Sequence, residues 1–220
     1  MRDNPLKKYY NEVRTDYGIN SLRRRKILAL AGSGLLAGQR ILDVGCASGY
    51  LAKELKQPDN FVVGLDISEK FINELQQRLD AARSFDLERD DWPPELIDNK
   101  FDLIICAEVL EHLFDIDGSL QRLKEVLKPD GKIIISTPNF LLWNNRIRMF
   151  LGHYGEKEIF YDWGHIHLMS YNGLKDRLVK NNFNILAEDN IWYPNKLERM
   201  KKFLPPNLFV FQSIIKIESK

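Results

Sequence analysis

The sequence is poor in cysteine and has no long apolar run. Its two cysteines, Cys46 and Cys106, lie in apolar stretches typical of strand ends. A disulfide framework is therefore not expected. We expect the protein to lie in a reducing compartment, the cytoplasm. No apolar run reaches the about 18 residues of a membrane-spanning helix, and the first residues lack the apolar core of a signal peptide. We therefore expect no stable membrane insertion.

An excess of charge of one sign is also absent. The 32 Lys and Arg residues nearly balance 31 Asp and Glu residues, for a net charge of +1. This balance does not indicate a broad basic surface, so no nucleic-acid partner is expected, while local basic patches are left open. The basic run Arg23–Lys26 lies in a segment, residues 6–36, that is predicted to be helical. We interpret the run as a solvated helix face rather than a phosphate site.

The chain does contain a regular alternation of short apolar runs and helical patterns. Seven runs are predicted to be strands: residues 40–45, 61–68, 81–88, 101–110, 131–139, 183–193 and 207–218. Such runs indicate an α/β fold with a doubly wound, Rossmann-like, seven-stranded sheet covered on both faces. The link before the last strand is short and contains prolines, so that strand is predicted to be antiparallel. We expect a single domain over residues 1–220, with an N-terminal helical cap at 1–36.

A glycine-containing turn from Gly45 to Gly49 follows the first predicted strand, as in many nucleotide-binding folds. A dinucleotide-binding turn reads G-x-G-x-x-G, and here Ala47 and Tyr50 stand at two of the glycine positions. Asp43 precedes the turn, and its carboxylate would repel a pyrophosphate but attract a cationic group. S-adenosyl-L-methionine carries a sulfonium and an amino group, so it is the expected cofactor. An NAD-dependent dehydrogenase is disfavoured.

Two further acidic residues end predicted strands at the same edge of the sheet. Asp66 ends the second strand, where a carboxylate can accept hydrogen bonds from ribose hydroxyls. Asp86 ends the third strand and is placed to accept a hydrogen bond from an adenine amino group. Leu87 or Phe85 would then lie against the adenine ring.

These residues resemble the motifs of class I S-adenosylmethionine-dependent methyltransferases, in the methyltransferase type 11/12 group. The resemblance covers residues 40–139 and rests on five segments in the family's order and spacing: ILDVGCASGYLA, VVGLDIS, SFDLE, FDLIICAEVLEHL and LKPDGKIIISTPN. The segment AEVLEHL is similar to that of the subgroup containing the ubiquinone-biosynthesis O-methyltransferases. The chain departs from the first motif at Ala47, where the family usually has glycine. Alanine is small, so cofactor binding is expected to survive.

The resemblance implies methyl transfer from S-adenosyl-L-methionine to a small-molecule acceptor, expected to be a hydroxyl, with S-adenosyl-L-homocysteine as product. It places Glu108 near the methionine part of the cofactor. An alternative role for Glu108 is to satisfy backbone N–H groups at a helix start. The expected cofactor-binding residues are Asp43, Gly45, Cys46, Ala47, Gly49, Tyr50, Asp66, Ile67, Asp86, Leu87, Ala107 and Glu108.

A second resemblance covers residues 136–185. The segments STPNFLLWNNRIRMFLGHY and YDWGHIHLMSYNGLKDRLVKNNFNI look like the methionine biosynthesis protein MetW family. This resemblance implies an accessory protein beside a homoserine O-acyltransferase partner, with the cofactor fold kept for regulation or structure. The accessory function is the alternative to methyl transfer.

Two histidines, His112 and His165, are the candidate catalytic residues. Either could act as a base or position the acceptor. Either could instead be structural, as a packed side chain or by fastening a loop. His165 and His167 would face the same side if they lay on a strand. A metal ion would need further ligands, and we expect no metal site.

Aromatic residues are concentrated at 140–164, after the fifth predicted strand and at the ligand-binding edge of the sheet. Residues 141–151 indicate an amphipathic helix that carries Arg146 and Arg148. The segment could be a lid that shapes an acceptor pocket, a partner-docking helix or a surface that touches a lipid membrane. We expect an active-site lid over residues 138–170.

Overall fold

The structure is a computed structural model that describes residues 21–32, 38–153 and 164–220. Its elements, in chain order, are α1 (Ser21–Ala31), β1 (Arg40–Val44), α2 (Tyr50–Leu55), β2 (Phe61–Asp66), α3 (Glu69–Leu75), β3 (Ala81–Ser84), α4 (Pro94–Asp98), β4 (Phe101–Ala107), a 3-10 helix (Leu110–His112), α5 (Ile116–Glu125), β5 (Leu127–Pro138), α6 (Trp143–Phe150), α7 (Tyr171–Lys180), β6 (Phe183–Glu188), β7 (Ile191–Trp192), a second 3-10 helix (Asn195–Met200), α8 (Pro206–Phe209) and β8 (Val210–Ser219).

The strands form one mixed sheet in the order β3-β2-β1-β4-β5-β8-β6. Strands β1 to β5 pair in parallel, whereas β8 is antiparallel to both β5 and β6. The predicted doubly wound sheet with a reversed last strand is therefore confirmed. The proline-containing link before β8 holds only short helices, too little for the crossover that a parallel strand requires.

The sheet has an eighth strand because the predicted strand over residues 183–193 is interrupted. Its two parts, β6 and β7, both pair with β8. Asp189 and Asn190 separate them, and the Asn190 side-chain oxygen accepts a hydrogen bond from the Ile214 N–H at 2.8 Å. A side chain thus replaces a backbone carbonyl in the ladder, and the regular strand stops there.

Apolar layers cover both faces of the sheet, as shown by the alternation along β4. Ile104 and Cys106 belong to a core cluster formed with α4, α5 and α7. Leu103 and Ile105 belong to the cluster on the other face, formed with α1, α2 and α3. A strand buried on both faces gives a continuous apolar run. Each fully buried Leu or Ile contributes about 1.5–3 kcal/mol to folding.

Helix α1 ends at Ala31, and residues 1–20 and 33–37 of the predicted helical cap lie outside the described residues. The interpretation of its basic run as a solvated face is wrong. Ile27 is fully buried, and three of the four cations pair with acids of other elements: Arg23 with Glu108, Arg24 with Glu54, and Lys26 with both Asp189 and Glu198. The run therefore fastens α1 to the rest of the fold.

The predicted helix after β5 is present as α6, and none of its residues is buried. Residues 154–163 lie outside the described residues, so the lid over 138–170 stays a prediction. Within the described ranges, no helix is both long enough and apolar enough to cross a membrane.

Candidate active site

The turn after β1 forms the floor of a cleft at the carboxyl edge of the parallel strands. Gly45 and Gly49 both have φ of +71°, a conformation that favours glycine. A Cβ on Gly45 would lie 2.4 Å from Val109 Cγ2, so the close approach of the loop after β4 requires glycine there. The Gly45 and Cys46 N–H groups donate to the Leu65 carbonyl at 2.7 and 3.0 Å.

The cleft gathers most of the predicted site residues. Those that line it are Gly45, Ala47, Asp66, Ile67, Asp86, Leu87, Glu108 and His112. The remaining predicted residues do not line it: Asp43, Cys46, Gly49, Tyr50, Ala107 and His165. Cys46 is buried, Gly49 caps α2, Tyr50 begins that helix and Ala107 ends β4. Tyr50 is 42% exposed, so its side chain faces solvent rather than the cleft.

Asp66 is fixed at the end of β2 by two backbone N–H groups. Ala47 N donates to one carboxylate oxygen and Ser68 N to the other, each at 2.8 Å. Each oxygen keeps a second acceptor position for a ligand hydroxyl. Burial raises the pKa of Asp66, and the two N–H donors oppose that rise.

Asp43 lies beneath the turn rather than in the cleft. Its side chain is almost fully buried, and Oδ2 has no hydrogen-bond partner among the described residues. Burial, followed by the charge of Asp66, raises its pKa to about 7. Asp43 does not line the cleft, and its attraction for a cationic group stays a prediction.

The loop after β3 supplies one wall of the cleft. The Asp86 carboxylate accepts a hydrogen bond from Glu88 N at 3.0 Å. Phe85 lies on that wall with Leu87 and stacks on Trp92, with ring centroids 4.6 Å apart and planes 19° apart. The stacked ring and the leucine form an apolar surface suited to a flat heterocycle.

Glu108 stands where β4 ends, in a left-handed conformation with φ of +57°. One carboxylate oxygen accepts from Ser136 Oγ at 2.9 Å, and the other lies 3.1 Å from Arg23 Nη1. Nε of Arg23 is buried and has no hydrogen-bond partner within the described ranges. Sequence reasoning missed Arg23 as the ion-pair partner of this cleft residue, because nothing in a run of four cations distinguishes it from its neighbours.

His112 reaches the cleft from the first 3-10 helix. Its Nδ1 lies 3.0 Å from the Gly164 carbonyl, which favours the tautomer with hydrogen on Nδ1 and the lone pair on Nε2. Burial lowers the pKa of His112 to about 4. The ring is therefore neutral near neutral pH.

His165 packs behind His112, with ring centroids 4.7 Å apart. His165 and His167 do not lie on a strand. Instead, the N–H groups of Ile166 and His167 both donate to the Glu111 carbonyl, so the segment is an extended loop held from one side. Burial lowers the pKa of His165.

Glu111 is a second residue that the sequence prediction missed. It is fully buried, and neither carboxylate oxygen has a hydrogen-bond partner among the described residues. Oε1 lies 4.0 Å from His165 Nε2, beyond the roughly 3.2 Å of a hydrogen bond. Burial and the charge of Glu108 raise its pKa well above the usual range. Glu111, His112 and His165 offer ligand atoms within 4.8 Å of one another, a spacing at which they could hold a cation.

Comparison with known proteins gives a match over most of the chain. The sequence model described as "Methyltransferase domain" matches residues 16–188. The chain belongs to the methyltransferase-domain family. The strand-end residues that line the cleft, from Gly45 to Glu108, all lie within the matched range. The resemblance to class I methyltransferases is thereby confirmed.

Curated relatives of the methyltransferase domain include two named ubiquinone biosynthesis O-methyltransferase. The protein from Bordetella avium is 34% identical over 134 residues, which cover 59% of this chain and 54% of that protein. The protein from Acinetobacter baylyi is 30% identical over 134 residues, covering 59% and 56%. The chain thus spans about half the length of these relatives. Neither relative supports the predicted MetW-like segment at 136–185.

Solved structures share the fold at low sequence identity. Magnesium protoporphyrin IX methyltransferase from Synechocystis PCC 6803, solved with bound SAH, has a TM-score of 0.65 at 17% identity, covering 98% of this chain and 99% of that one. The N-methyltransferase NodS from Bradyrhizobium japonicum, in complex with S-adenosyl-L-homocysteine, has a TM-score of 0.64 at 16% identity, covering 98% and 97%. These matches confirm the Rossmann-like methyltransferase fold.

Proposed function

We propose that this chain is an S-adenosyl-L-methionine-dependent methyltransferase that acts on a hydroxyl of a small-molecule acceptor. The observation that carries the proposal is that Glu108 and Asp66 line one cleft, and that Arg23 lies 3.1 Å from a Glu108 carboxylate oxygen. The amino-acid end of the cofactor is a zwitterion, which needs a cation and a carboxylate side by side. The pyrophosphate of a dinucleotide would instead be repelled by two carboxylates, and one arginine would have to balance both its charges and theirs.

The residues present fit each part of the cofactor. Glu108 would accept hydrogen bonds from the amino group, and Arg23 has an unpartnered buried Nε as well as the charge that a carboxylate requires. Asp66, already held by two N–H groups, would accept from the ribose hydroxyls. Asp86 and Leu87 would bind the adenine.

When bound, the cofactor supplies a methyl group on a positively charged sulfur and leaves as S-adenosyl-L-homocysteine. The chain's own contribution is to hold the acceptor close and to take its proton. His112 is the better-placed base of the two candidates, because it lines the cleft and its Nδ1 is engaged by Gly164. His165, behind it, would position the His112 ring.

Hydroxyl methylation is supported by the names of the curated relatives, which are O-methyltransferases at 30–34% identity. Solved neighbours include an N-methyltransferase, so the fold alone does not select the acceptor atom. An imidazole base suits a hydroxyl, which must lose a proton as it is methylated. The accessory function beside an acyltransferase has no support in these relatives.

Isothermal titration calorimetry with S-adenosyl-L-methionine and S-adenosyl-L-homocysteine tests cofactor binding. We expect both to bind. Arg23→Ala should weaken binding about 10- to 100-fold, the scale of losing hydrogen bonds to a charged group. Arg25→Ala is the matched control, because Arg25 is exposed on the same helix. Tighter binding of NADH, or equal effects of the two variants, would contradict the proposal.

Release of S-adenosyl-L-homocysteine in the presence of phenols, sugars and amines tests the acceptor class. Phenols or sugars should stimulate release, and His112→Ala should slow it while leaving cofactor affinity nearly intact. A parallel assay with a chelator, followed by readdition of divalent cations, shows whether Glu111, His112 and His165 act with a metal ion. Stimulation by amines alone would refute O-methylation.

A further inference from the structure

The segment between β7 and β8 presents positive charge to solvent. We call residues 195–203 the basic segment. Its exposed cations are Lys196, Arg199, Lys201 and Lys202. No ion pair of these cations lies within the described part of the chain. The one acid of the basic segment, Glu198, is turned inward and lies 2.7 Å from Nζ of the buried Lys26. The outer face of the basic segment is therefore cationic, in a chain whose net charge is only +1.

Large apolar side chains stand among these cations. Phe203 is 84% exposed and Met200 is 50% exposed. Tyr193 and Phe211, next to the basic segment, are also exposed, and their ring centroids lie 6.5 Å apart. An exposed phenylalanine side chain is unfavourable in free energy, because its apolar surface contacts water. Burial of that surface in an apolar environment would be favourable. Cations beside exposed aromatic and aliphatic groups are typical of protein surfaces that bind at the headgroup level of a bilayer.

The basic segment lies at the same edge of the sheet as the candidate active site. Gln212 of β8 pairs with Pro138 at the carboxyl end of β5, and Val210 pairs with Trp192. Asn139 continues from β5, and its side-chain amide donates to the carbonyls of Asn207 and Val210. The chain that leaves β5 toward α6 is thus tied to the chain that leaves the basic segment.

Helix α6, at this edge, also combines exposed apolar side chains with cations. Phe150 is 89% exposed and Ile147 is 50% exposed. Arg146 and Arg148 lie on the same helix. Two separate segments that leave one edge of the sheet therefore each carry an exposed phenylalanine with nearby cations.

We propose that the basic segment docks the protein peripherally on the surface of an anionic phospholipid bilayer. The four cations attract the negative headgroups, and Phe203 with Met200 enters the headgroup region. This edge of the sheet then faces the bilayer, so the cleft opens toward compounds dissolved in it. A nucleic acid is a poorer fit, because its binding surfaces combine cations with stacking aromatics rather than with an aliphatic side chain such as Met200.

The proposal goes beyond methyl transfer and is tested without measuring activity. The full chain is sedimented with phosphatidylcholine vesicles and with vesicles in which one third of the lipid is phosphatidylglycerol. We expect binding to the anionic vesicles only, and weaker binding as salt screens the charges. Lys201→Gln with Lys202→Gln should lower the partition coefficient about 30-fold, from about fivefold for each cation near the surface.

Phe203→Ser should lower the partition coefficient at least about 10-fold, on the scale of exposing one phenylalanine. The matched controls are Lys180→Gln with Lys220→Gln for charge and Ile97→Ser for apolar exposure, since these residues are exposed at the opposite edge of the sheet. All variants change exposed side chains and should melt at the same temperature as the parent.

Equal sedimentation with neutral and anionic vesicles would overturn the proposal, as would equal effects of the Lys201/Lys202 and the control variants. Binding to a DNA or RNA oligonucleotide that displaces the vesicles, and that is unchanged by Phe203→Ser, would assign the basic segment to nucleic acid instead. Quenching of a Phe203→Trp variant by brominated phosphatidylglycerol is the independent readout. Its absence while the protein is bound would also refute the docking geometry.

Discussion

Asp43→Asn should stabilise the protein at alkaline pH. The folded state raises the pKa of Asp43 from 3.8 to about 7, chiefly by burial. A raised carboxyl pKa means that the folded state binds the proton more tightly than the unfolded chain does. The resulting stability is complete below pH 3.8 and is lost as the pH rises through about 7.

The magnitude follows from the size of that shift. About three pKa units at 1.36 kcal/mol each give about 4 kcal/mol, and more than half of this falls between about pH 5 and pH 8. Asparagine carries no charge at either pH, so the free energy of unfolding of the variant does not fall in this way as the pH rises. Its amide oxygen can keep the hydrogen bond from the Ala52 N–H, and Oδ2, which the new amide nitrogen replaces, already has no partner among the described residues.

Urea unfolding followed by circular dichroism at pH 5 and pH 8 measures the effect. The difference in free energy of unfolding between the two pH values should be about 2–3 kcal/mol smaller in Asp43→Asn than in the parent. Asp59→Asn, at an exposed position, is the control and should leave the pH dependence unchanged. If Asp43→Asn keeps the parent's pH dependence, or is less stable than the parent at pH 8, the electrostatic reasoning is refuted.

Three further substitutions test the site and its support. Asp66→Ala should weaken S-adenosyl-L-methionine binding by about 1.5–3 kcal/mol; unchanged affinity by calorimetry would place the cofactor elsewhere. Gly45→Ala should lower the free energy of unfolding by about 2–4 kcal/mol through backbone strain and overpacking, whereas Gly38→Ala, with the same sign of φ but open space around it, should lower it less. Asn139→Ala removes four hydrogen bonds and should cost about 2–4 kcal/mol in urea unfolding; a loss under about 1 kcal/mol would show that water replaces them.

The strands and the strand-end residues could be predicted because their signals are local. A strand buried on both faces is a continuous apolar run, and a turn at a strand end is a short motif with Gly45, Asp66 or Asp86 at a fixed place. The reversal of β8 followed from the length and prolines of one link. The split between β6 and β7 could not be foreseen, because it depends on one side chain, Asn190, bonding across the sheet.

Arg23 and Glu111 show what a sequence pattern leaves open in the site. Arg23 stands in a run of similar cations, and only the docking of α1 against β4 selects it for Glu108. Glu111 has the residue type of a surface helix, yet it is fully buried. The sequence left open whether His165 and His167 lie on a strand. They lie in a loop whose N–H groups, from Ile166 and His167, donate to the Glu111 carbonyl, which periodicity cannot show.

The buried pairing of Lys26 sets an order for assembly during synthesis. Its two partners follow it by 163 and 172 residues along the chain. Helix α1 leaves the ribosome early, but Lys26 has neither of its acidic partners until Asp189 and then Glu198 have been made. Docking of α1, and with it the placement of Arg23 beside Glu108, is therefore a late step. The half-made chain holds its glycine turn and parallel strands before it holds a finished cleft.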